Sequence, residues 1–306
     1  MKTPEIYIIG SGAIGQALAV FLKQENRPVK LVRGSVDHLP DREQTITVTE
    51  ANSTFQQKIT TTTFSRLSSI EGIVLVATKS FANEAIANKL RKVEGNFSVV
   101  LLQNGLNIER PFRDFEKVYR GVLLSTGQVT GDHEVTFKTV TASPVGNWEE
   151  KNEGLEALIS QISTPHFEFR AETDMVRYVW NKVIANCAFN AICPLLETDN
   201  GIFHRNPEAE RLAGIVIREC VSLAQAKGIL LNEDQITENL LLISRKSDGQ
   251  LISTYADILH QRRTEIDSLN LEIGRLADEI GQPELVSTTR LLGELIRLKS
   301  SLVNFG

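Results

Sequence analysis

The sequence predicts an α/β domain built on a mainly parallel sheet, followed by a domain made almost entirely of helices, and three observations lead there. From Glu5 to about Val145, short β-branched runs alternate with amphipathic stretches, the pattern of parallel strands joined by crossover helices. After about residue 170 helical periodicity dominates. At 306 residues the chain exceeds the size at which single cores commonly stop growing, which favours two domains, expected as 1–168 and 169–306 with the join somewhere in Ser163–Ala171.

The clearest strands are Glu5–Ile9, Val29–Val32, Gly72–Ala77 and Ser98–Leu102, with helices expected at Ala13–Gln24 and Ala82–Val93. Thr/Val-rich segments at Thr45–Thr49, Gln56–Thr62, Val118–Thr126 and Glu134–Thr141 supply further strands, some antiparallel. Pro144-Val145-Gly146 reads as a turn, and Phe167–Phe169 as a last short strand. In the second half the helical stretches are Asp174–Pro194, Pro207–Lys227, Ser253–Ile280 and Ser287–Leu302. Thr264 with Asp267 reads as a cap of a new helix within the third of these.

Composition narrows the function. With 42% hydrophobic and 23% charged residues the chain can bury a core and is neither disordered nor fibrous. Its formal charge of -5, with no Lys/Arg run, argues against nucleic acid as a partner. Cys187, Cys193 and Cys220 form no CxxC pair and have no histidines at ligand spacing, so buried cysteines in a reducing cytosol are expected, with no metal site. Ile6-Tyr7-Ile8-Ile9 is too short for a signal segment and no later run suffices to span a bilayer, so the expected location is the cytoplasm.

Directly after the first strand stands Gly10-Ser11-Gly12-Ala13-Ile14-Gly15, and an amphipathic helix follows at once. The first glycine permits a tight turn, the second lets a pyrophosphate approach the backbone, and the third lets helix and strand pack closely. Alone, GxGxxG is weak evidence; set between a strand and a helix within one βαβ unit, it points to a Rossmann-type dinucleotide site. At the end of the second strand an acid normally bonds the ribose of NAD, whereas an arginine accommodates the 2′-phosphate of NADP. Here that residue is Arg33, with no carboxylate until Asp37, so NADPH/NADP+ is the expected cofactor. The plainer alternative is a solvated surface arginine.

From Val179 to Ile192 the chain is hydrophobic around most of the helix, yet Lys182, Asn186 and Asn190 recur every fourth residue. Such spacing lays an ammonium and two carboxamides along one face, where desolvation is costly without partners. A ligand site explains that stripe better than a set of bonds to other helices or a place at the solvent edge. Ser253-Thr254-Tyr255-Ala256-Asp257 has the form of a helix start, and Glu265 alone could be a first-turn acid complementing a helix dipole.

Taken together, the glycine loop, Lys79 after a strand, Gln103-Asn104-Gly105, the Trp180/Lys182/Asn186/Asn190 pattern and Arg263-Thr264-Glu265-Ile266-Asp267 resemble the ketopantoate reductase (2-dehydropantoate 2-reductase) family over nearly the whole chain. The resemblance implies NADPH-dependent reduction of 2-dehydropantoate to pantoate, a step towards pantothenate and coenzyme A. It assigns Lys182 as general acid and Glu265 as an acid near the nicotinamide and that lysine. It likewise implies that Asn104 touches both cofactor and substrate, that Lys79 contacts the cofactor, and that Asn186, Asn190, Asn200 and Ser253 bind substrate. Against the family pattern, Ala82-Asn83 stand where a glutamine is often found, Asn107 and Leu271 where glycine is common, and Gln250 where an asparagine helps bind substrate.

Those departures leave room for a reductase of another branched 2-oxo acid, and a non-catalytic NADP(H)-binding protein is a third reading, opposed by the retention of the polar set. The site is expected in a cleft between domains, at the carboxyl ends of the parallel strands. The long apolar helices of the second half offer a homodimer interface as one use.

Overall fold

The computed structural model describes residues 4–147 and 154–303. The chain divides into two compact units, one holding Met1–Gln103 and Ile108–Met175, the other Asn104–Asn107 and Val176–Gly306.

Eleven described strands of the first unit form one sheet: β1 (Glu5–Ile9), β2 (Val29–Arg33), β3 (Arg42–Glu50), β4 (Ser53–Thr63), β5 (Gly72–Val76), β6 (Phe97–Leu101), β7 (Val118–Gly121), β8 (Ser125–Gly131), β9 (Glu134–Thr139), β10 (Ser143–Asn147) and β11 (Phe169–Ala171). Their order is β11-β10-β7-β6-β5-β1-β2-β4-β3-β9-β8. From β7 to β4 every neighbour runs parallel, as the run of β-branched strands predicts. After β4 the chain returns to the other side of β1 to lay down β5, so the order reverses between β1 and β5. In open α/β sheets that reversal is where ligands bind.

Helices α1 (Ala13–Gln24), α2 (Asn83–Leu90) and α3 (Leu155–Ile162) complete the unit. Period-two alternation sends Ile6, Ile8, Leu31 and Leu75 to one side of the sheet, against Leu18, Phe21 and Leu22 of α1 and Leu158 of α3. Tyr7, Ile9, Val74 and Val76 face the other side, where Ile86 and Leu90 of α2 cover them. A sheet buried on both faces explains why these strands read as continuous apolar runs.

Several expectations are corrected here. Pro144-Val145-Gly146 is no turn but the middle of β10, which pairs antiparallel with β7 and parallel with β11. The proline stands where pairing with β7 ends: its carbonyl accepts from Val122 N–H at 2.9 Å, and only the return bond of that last pair is lost. Gly146 is small because a Cβ would strike the Glu172 carbonyl and Met175. Val118–Thr126 is two strands, β7 near one edge of the sheet and β8 at the other. The last strand starts at Phe169, while Phe167 only bridges Thr164.

The second unit contains most of α4 (Met175–Leu195), then α5 (Ile202–Arg205), α6 (Pro207–Ala226), α7 (Glu233–Lys246), α8 (Ser253–Leu259), α9 (Asn270–Glu279) and α10 (Ser287–Val303). Asn206 caps α6, its side chain accepting from Glu208 N–H and Ala209 N–H, and Pro207 takes the first helical position, where its missing donor costs nothing. The stretch Ser253–Ile280 is broken, not continuous. Gln261 takes a left-handed φ of 54°, and Asp257 holds the departing chain through Arg262 Nε at 3.0 Å. Thr264 caps no helix: it is buried, Glu265 opens a 3-10 turn at Ile266–Ser268, and α9 starts only at Asn270. Gly293 of α10 brings α9 close, since a Cβ there would lie 2.8 Å from that of Asn270. The three cysteines are buried thiols, as expected, and burial pushes Cys193 up to about 12.

Candidate active site

The glycine loop sits at the reversal point between β1 and β5. Gly10 has φ +118°, and a Cβ on it would stand 2.8 Å from Thr78 N and 2.9 Å from the Ala77 carbonyl carbon. The loops leaving β1 and β5 therefore press together backbone to backbone, which only glycine permits. A Cβ on Gly15 would strike the Gly10 carbonyl, so the third glycine is fixed by helix–strand packing. Gly12 differs: nothing lies within 4 Å of its Cβ position. It serves as the N-cap of α1 with no side-chain cap, and the first turn carries no acid. The leading N–H groups and the positive end of the helix are thus left for an anion, and the exposed Ser11-Gly12 backbone gives it room.

Arg33 ends β2 as expected. One guanidinium nitrogen reaches Pro40 O at 3.4 Å, and its buried Nε has no hydrogen-bond partner among the described residues. Asp37, the nearest carboxylate downstream, accepts from Ser65 N–H at 2.8 Å, His38 N–H at 3.0 Å and Lys89 Nζ at 3.4 Å. The Ser65 N–H above all, with the others, holds its carboxyl far below the usual carboxylate range. An acid so fully engaged has little capacity left for a ribose hydroxyl. Lys79 is half-buried just past β5, on the residue that opens the 3-10 turn Ser80–Ala82.

In the second unit Lys182, Asn186 and Asn190 share one face of α4, among Val179, Trp180, Val183, Cys187 and Phe189, all buried. Lys182 and Asn186 are half-buried, and Asn190 is 2% exposed. Asn190 Nδ2 donates to Asn186 O at 3.0 Å, while its Oδ1 accepts from Ser253 Oγ and Thr254 N–H, each at 3.4 Å. Asn190 thus joins the stripe to the first turn of α8. Asn200 is buried with its backbone held on both sides: its N–H donates to Gln250 O at 2.9 Å and its carbonyl accepts from Ser244 Oγ at 2.7 Å. Its side-chain Oδ1 is buried without a hydrogen-bond partner among the described residues, which suits an acceptor awaiting a ligand.

The turn after Asn104 and the turn that Glu265 opens are joined by a contact that no pattern in the sequence announces. Gly105 has φ +112°, and a Cβ on it would lie 2.5 Å from Ser268 Cβ and Oγ. Leu106 N–H donates to Ser268 O at 2.9 Å, and Ser268 donates both its N–H and its hydroxyl to Glu265 O at 3.0 Å. The glycine after Asn104 is therefore required by the turn that Glu265 opens. Glu265 itself is 7% exposed, which is not the solvated first-turn position it resembles from sequence alone. Asn107 completes the clamp with φ +55°, which asparagine tolerates, and an Nδ2 bond to Glu272 Oε1 at 2.5 Å.

Two groups of residues result, one on each unit: Gly10–Gly15, Arg33 and Lys79 on the first, and Asn104, Lys182, Asn186, Asn190, Asn200, Ser253 and Glu265 on the second. Reading from sequence missed Ser268 and took Asn83 only as a departure from the family pattern. Asn83 is 2% exposed, donates to Ile108 O at 2.8 Å and accepts from Gln103 Nε2 at 2.5 Å, and so anchors the residues that flank Asn104. Among the described residues no cluster suits a metal ion, and no helix is long and apolar enough to cross a membrane.

Comparison with known proteins bears on this arrangement. Residues 6–150 match the family model described as ketopantoate reductase PanE/ApbA, and residues 174–300 match the model of that family's C-terminal part. The chain is 24% identical to a 2-dehydropantoate 2-reductase of Streptococcus pyogenes, with 98% of this chain and 99% of that one covered. A 2-dehydropantoate 2-reductase of Pyrococcus horikoshii is 25% identical, with 97% and 98% covered. Among solved structures, a dimeric ketopantoate reductase from Staphylococcus aureus matches with a TM-score of 0.82 at 22% identity. D-mandelate dehydrogenase in a ternary structure with NADH and anilino(oxo)acetate matches with 0.85 at 19%. Each of these two alignments covers 98% of this chain and 99% of the other.

Proposed function

The chain belongs to the ketopantoate reductase family PanE/ApbA, NAD(P)H-dependent oxidoreductases of 2-oxo acids, and from that premise we propose that it reduces 2-dehydropantoate to pantoate with NADPH. The observation that carries the reading is the Lys182/Asn186/Asn190 stripe set among the buried apolar residues of α4, in the same unit as the unpartnered Oδ1 of Asn200.

The glycine loop fits a dinucleotide: Gly12 leaves an open approach to the uncapped start of α1, and Gly10 and Gly15 shape it. Arg33 supports NADPH over NADH, because its guanidinium suits a 2′-phosphate while Asp37 is engaged elsewhere. When bound, the reduced nicotinamide supplies the hydride. This chain supplies the rest. Lys182 donates a proton to the oxygen of the carbonyl as it becomes an alkoxide, and its positive charge stabilises that oxygen on the way. Glu265 orients the ammonium. Asn186 presents its amide donor to the carboxylate of the substrate, Ser253, whose hydroxyl hydrogen goes to Asn190 Oδ1, presents its Oγ as an acceptor to the hydroxymethyl, and Asn200 offers its Oδ1 as a second acceptor. Asn104, held by the Gly105–Ser268 contact, touches both cofactor and substrate. The setting is a cytoplasmic homodimer.

A second reading, reduction of a different branched 2-oxo acid, is favoured by one observation, the exposed Gln250 beside Asn200. The deciding experiment follows the loss of reduced-nicotinamide absorbance on adding 2-dehydropantoate, with NADH and other branched 2-oxo acids as controls. Fast turnover of 2-dehydropantoate with preference for NADPH is the expected result. Silence on 2-dehydropantoate with turnover of another 2-oxo acid overturns the substrate and keeps the mechanism. Tight NADPH binding with no turnover of any substrate overturns the enzymatic reading.

A further inference from the structure

The outward face of α10 carries Leu291, Leu295, Leu298 and Leu302, exposed by 59%, 41%, 55% and 66%. The opposite face, with Thr289, Gly293 and Ile296, is buried in the unit, so this helix is apolar on two sides. Steps of four, three and four residues keep the leucines in one stripe, the seam pattern of paired helices. That pattern is the same read from either end. Turned end for end, a second α10 sets Leu291 opposite Leu302 and Leu295 opposite Leu298, and the reverse holds simultaneously. Self-complementarity of this kind is what a twofold, isologous contact requires.

We propose that a second copy of this chain occupies the leucine stripe of α10, with the two helices antiparallel about an axis between residues 296 and 297. The proposal rests on the homodimer part of the reading above and names its surface. The four leucines leave on the order of 400 Å² of apolar surface in water, the size at which a patch marks an interaction site. Pairing two stripes removes roughly 800 Å², and the aliphatic stems of the flanking Glu294 and Lys299 bring the total to the ~1,000 Å² that a specific interface needs. The charges beside the stripe are neutralised within their own chain. Arg297 pairs with Glu294, and Lys299 pairs with Glu197 at 2.8 Å. A second copy therefore meets no uncompensated like charge, and a strongly charged partner finds no complementary field.

The test is the mass of the full chain in solution, by sedimentation velocity and light scattering, for wild type and for Leu295→Glu combined with Leu298→Glu. Wild type is expected to be a dimer, and the double variant to raise the dissociation constant at least about 100-fold while its circular-dichroism melt stays cooperative. A second measurement does not depend on that variant. Chains carrying Leu295→Cys and Leu298→Cys, mixed under mild oxidation, form a mixed disulfide, whereas Leu291→Cys with Leu298→Cys does not; the native cysteines are buried and do not interfere. A monomeric wild type overturns both the interface and the homodimer. A wild-type dimer that survives the two glutamates, or whose mixed cysteine chains fail to cross-link, overturns this face and leaves the homodimer standing.

Discussion

Substituting each glycine of the loop by alanine separates the fold from the ligand. At Gly15 a Cβ would overlap the Gly10 carbonyl, and at Gly10 it would meet backbone at 2.8 Å with φ at +118°. Neither neighbour is a flexible side chain, so strain of about 1–3 kcal/mol adds to a comparable overpacking cost. Gly12 sits at φ -75° with open space around its Cβ position. There alanine is a poorer N-cap than glycine by roughly 0.5–1 kcal/mol, offset by a similar loss of unfolded-chain entropy. Stability should therefore change by less than about 1 kcal/mol, a melting shift within about 4 °C. Binding should suffer instead, because the methyl group occupies the approach of a phosphate oxygen. Loss of one charge-assisted hydrogen bond, about 1.5–3 kcal/mol, weakens dinucleotide binding roughly 10- to 150-fold. Melting curves and fluorescence titration with NADPH measure the two quantities independently. If Gly12→Ala melts like Gly15→Ala, or binds NADPH as wild type does, the loop is a structural turn and the inference from it fails.

Lys182→Ala should lower turnover by about 10²- to 10⁴-fold while NADPH affinity is retained; steady-state kinetics with a separate binding titration checks this, and unchanged turnover would remove its assigned role. Arg33→Ala should raise the KM for NADPH about 10-fold or more and leave that for NADH nearly unchanged, and an equal effect on both would assign Arg33 a structural task. Asp37 has a folded pKa below its unfolded value of about 3.9, so its contribution to stability is complete above that pH and is lost as pH falls through and below it. Urea denaturation should accordingly find Asp37→Asn less stable than wild type at neutral pH, with the gap narrowing in acid; a gap independent of pH would mean that charge is irrelevant there.

Legibility from sequence follows how local the determining interaction is. The Rossmann core could be read because each strand is buried on both faces and Gly10, Gly12 and Gly15 announce the turn within six residues. The α4 stripe was legible for the same reason, since one helix face repeats every fourth residue. Pro144 and Gly146 misled because both residues usually mark turns, whereas here the proline costs only one bond at the end of the β7–β10 ladder and the glycine admits Glu172 and Met175. The break at Gln261 is equally silent: a left-handed glutamine carries no compositional signal, and the Asp257–Arg262 pair that fixes it looks like ordinary helix charge.

The same distinction sorts the departures from the family pattern. Asn83 is consumed by Gln103 and Ile108 O, Asn107 by Glu272 in a backbone shape that asparagine tolerates, and Leu271 packs against Gly293 in the core with Ala191, Ile258 and Ile296. Each of these three is compensated where it stands, so none of them argues for a changed substrate. Gln250 is different. Its backbone holds Asn200 at 2.9 Å while its side chain is exposed, one methylene longer than the asparagine that the family resemblance leads one to expect there. A change that leaves the backbone bond intact and alters only the reach of the amide is the kind that tunes substrate without disturbing the fold. Any difference in 2-oxo acid preference between this chain and its relatives is therefore expected to trace first to the pairing of Gln250 with Asn200, and Gln250→Asn should shift kcat/KM among 2-oxo acids while leaving NADPH binding and melting temperature unchanged.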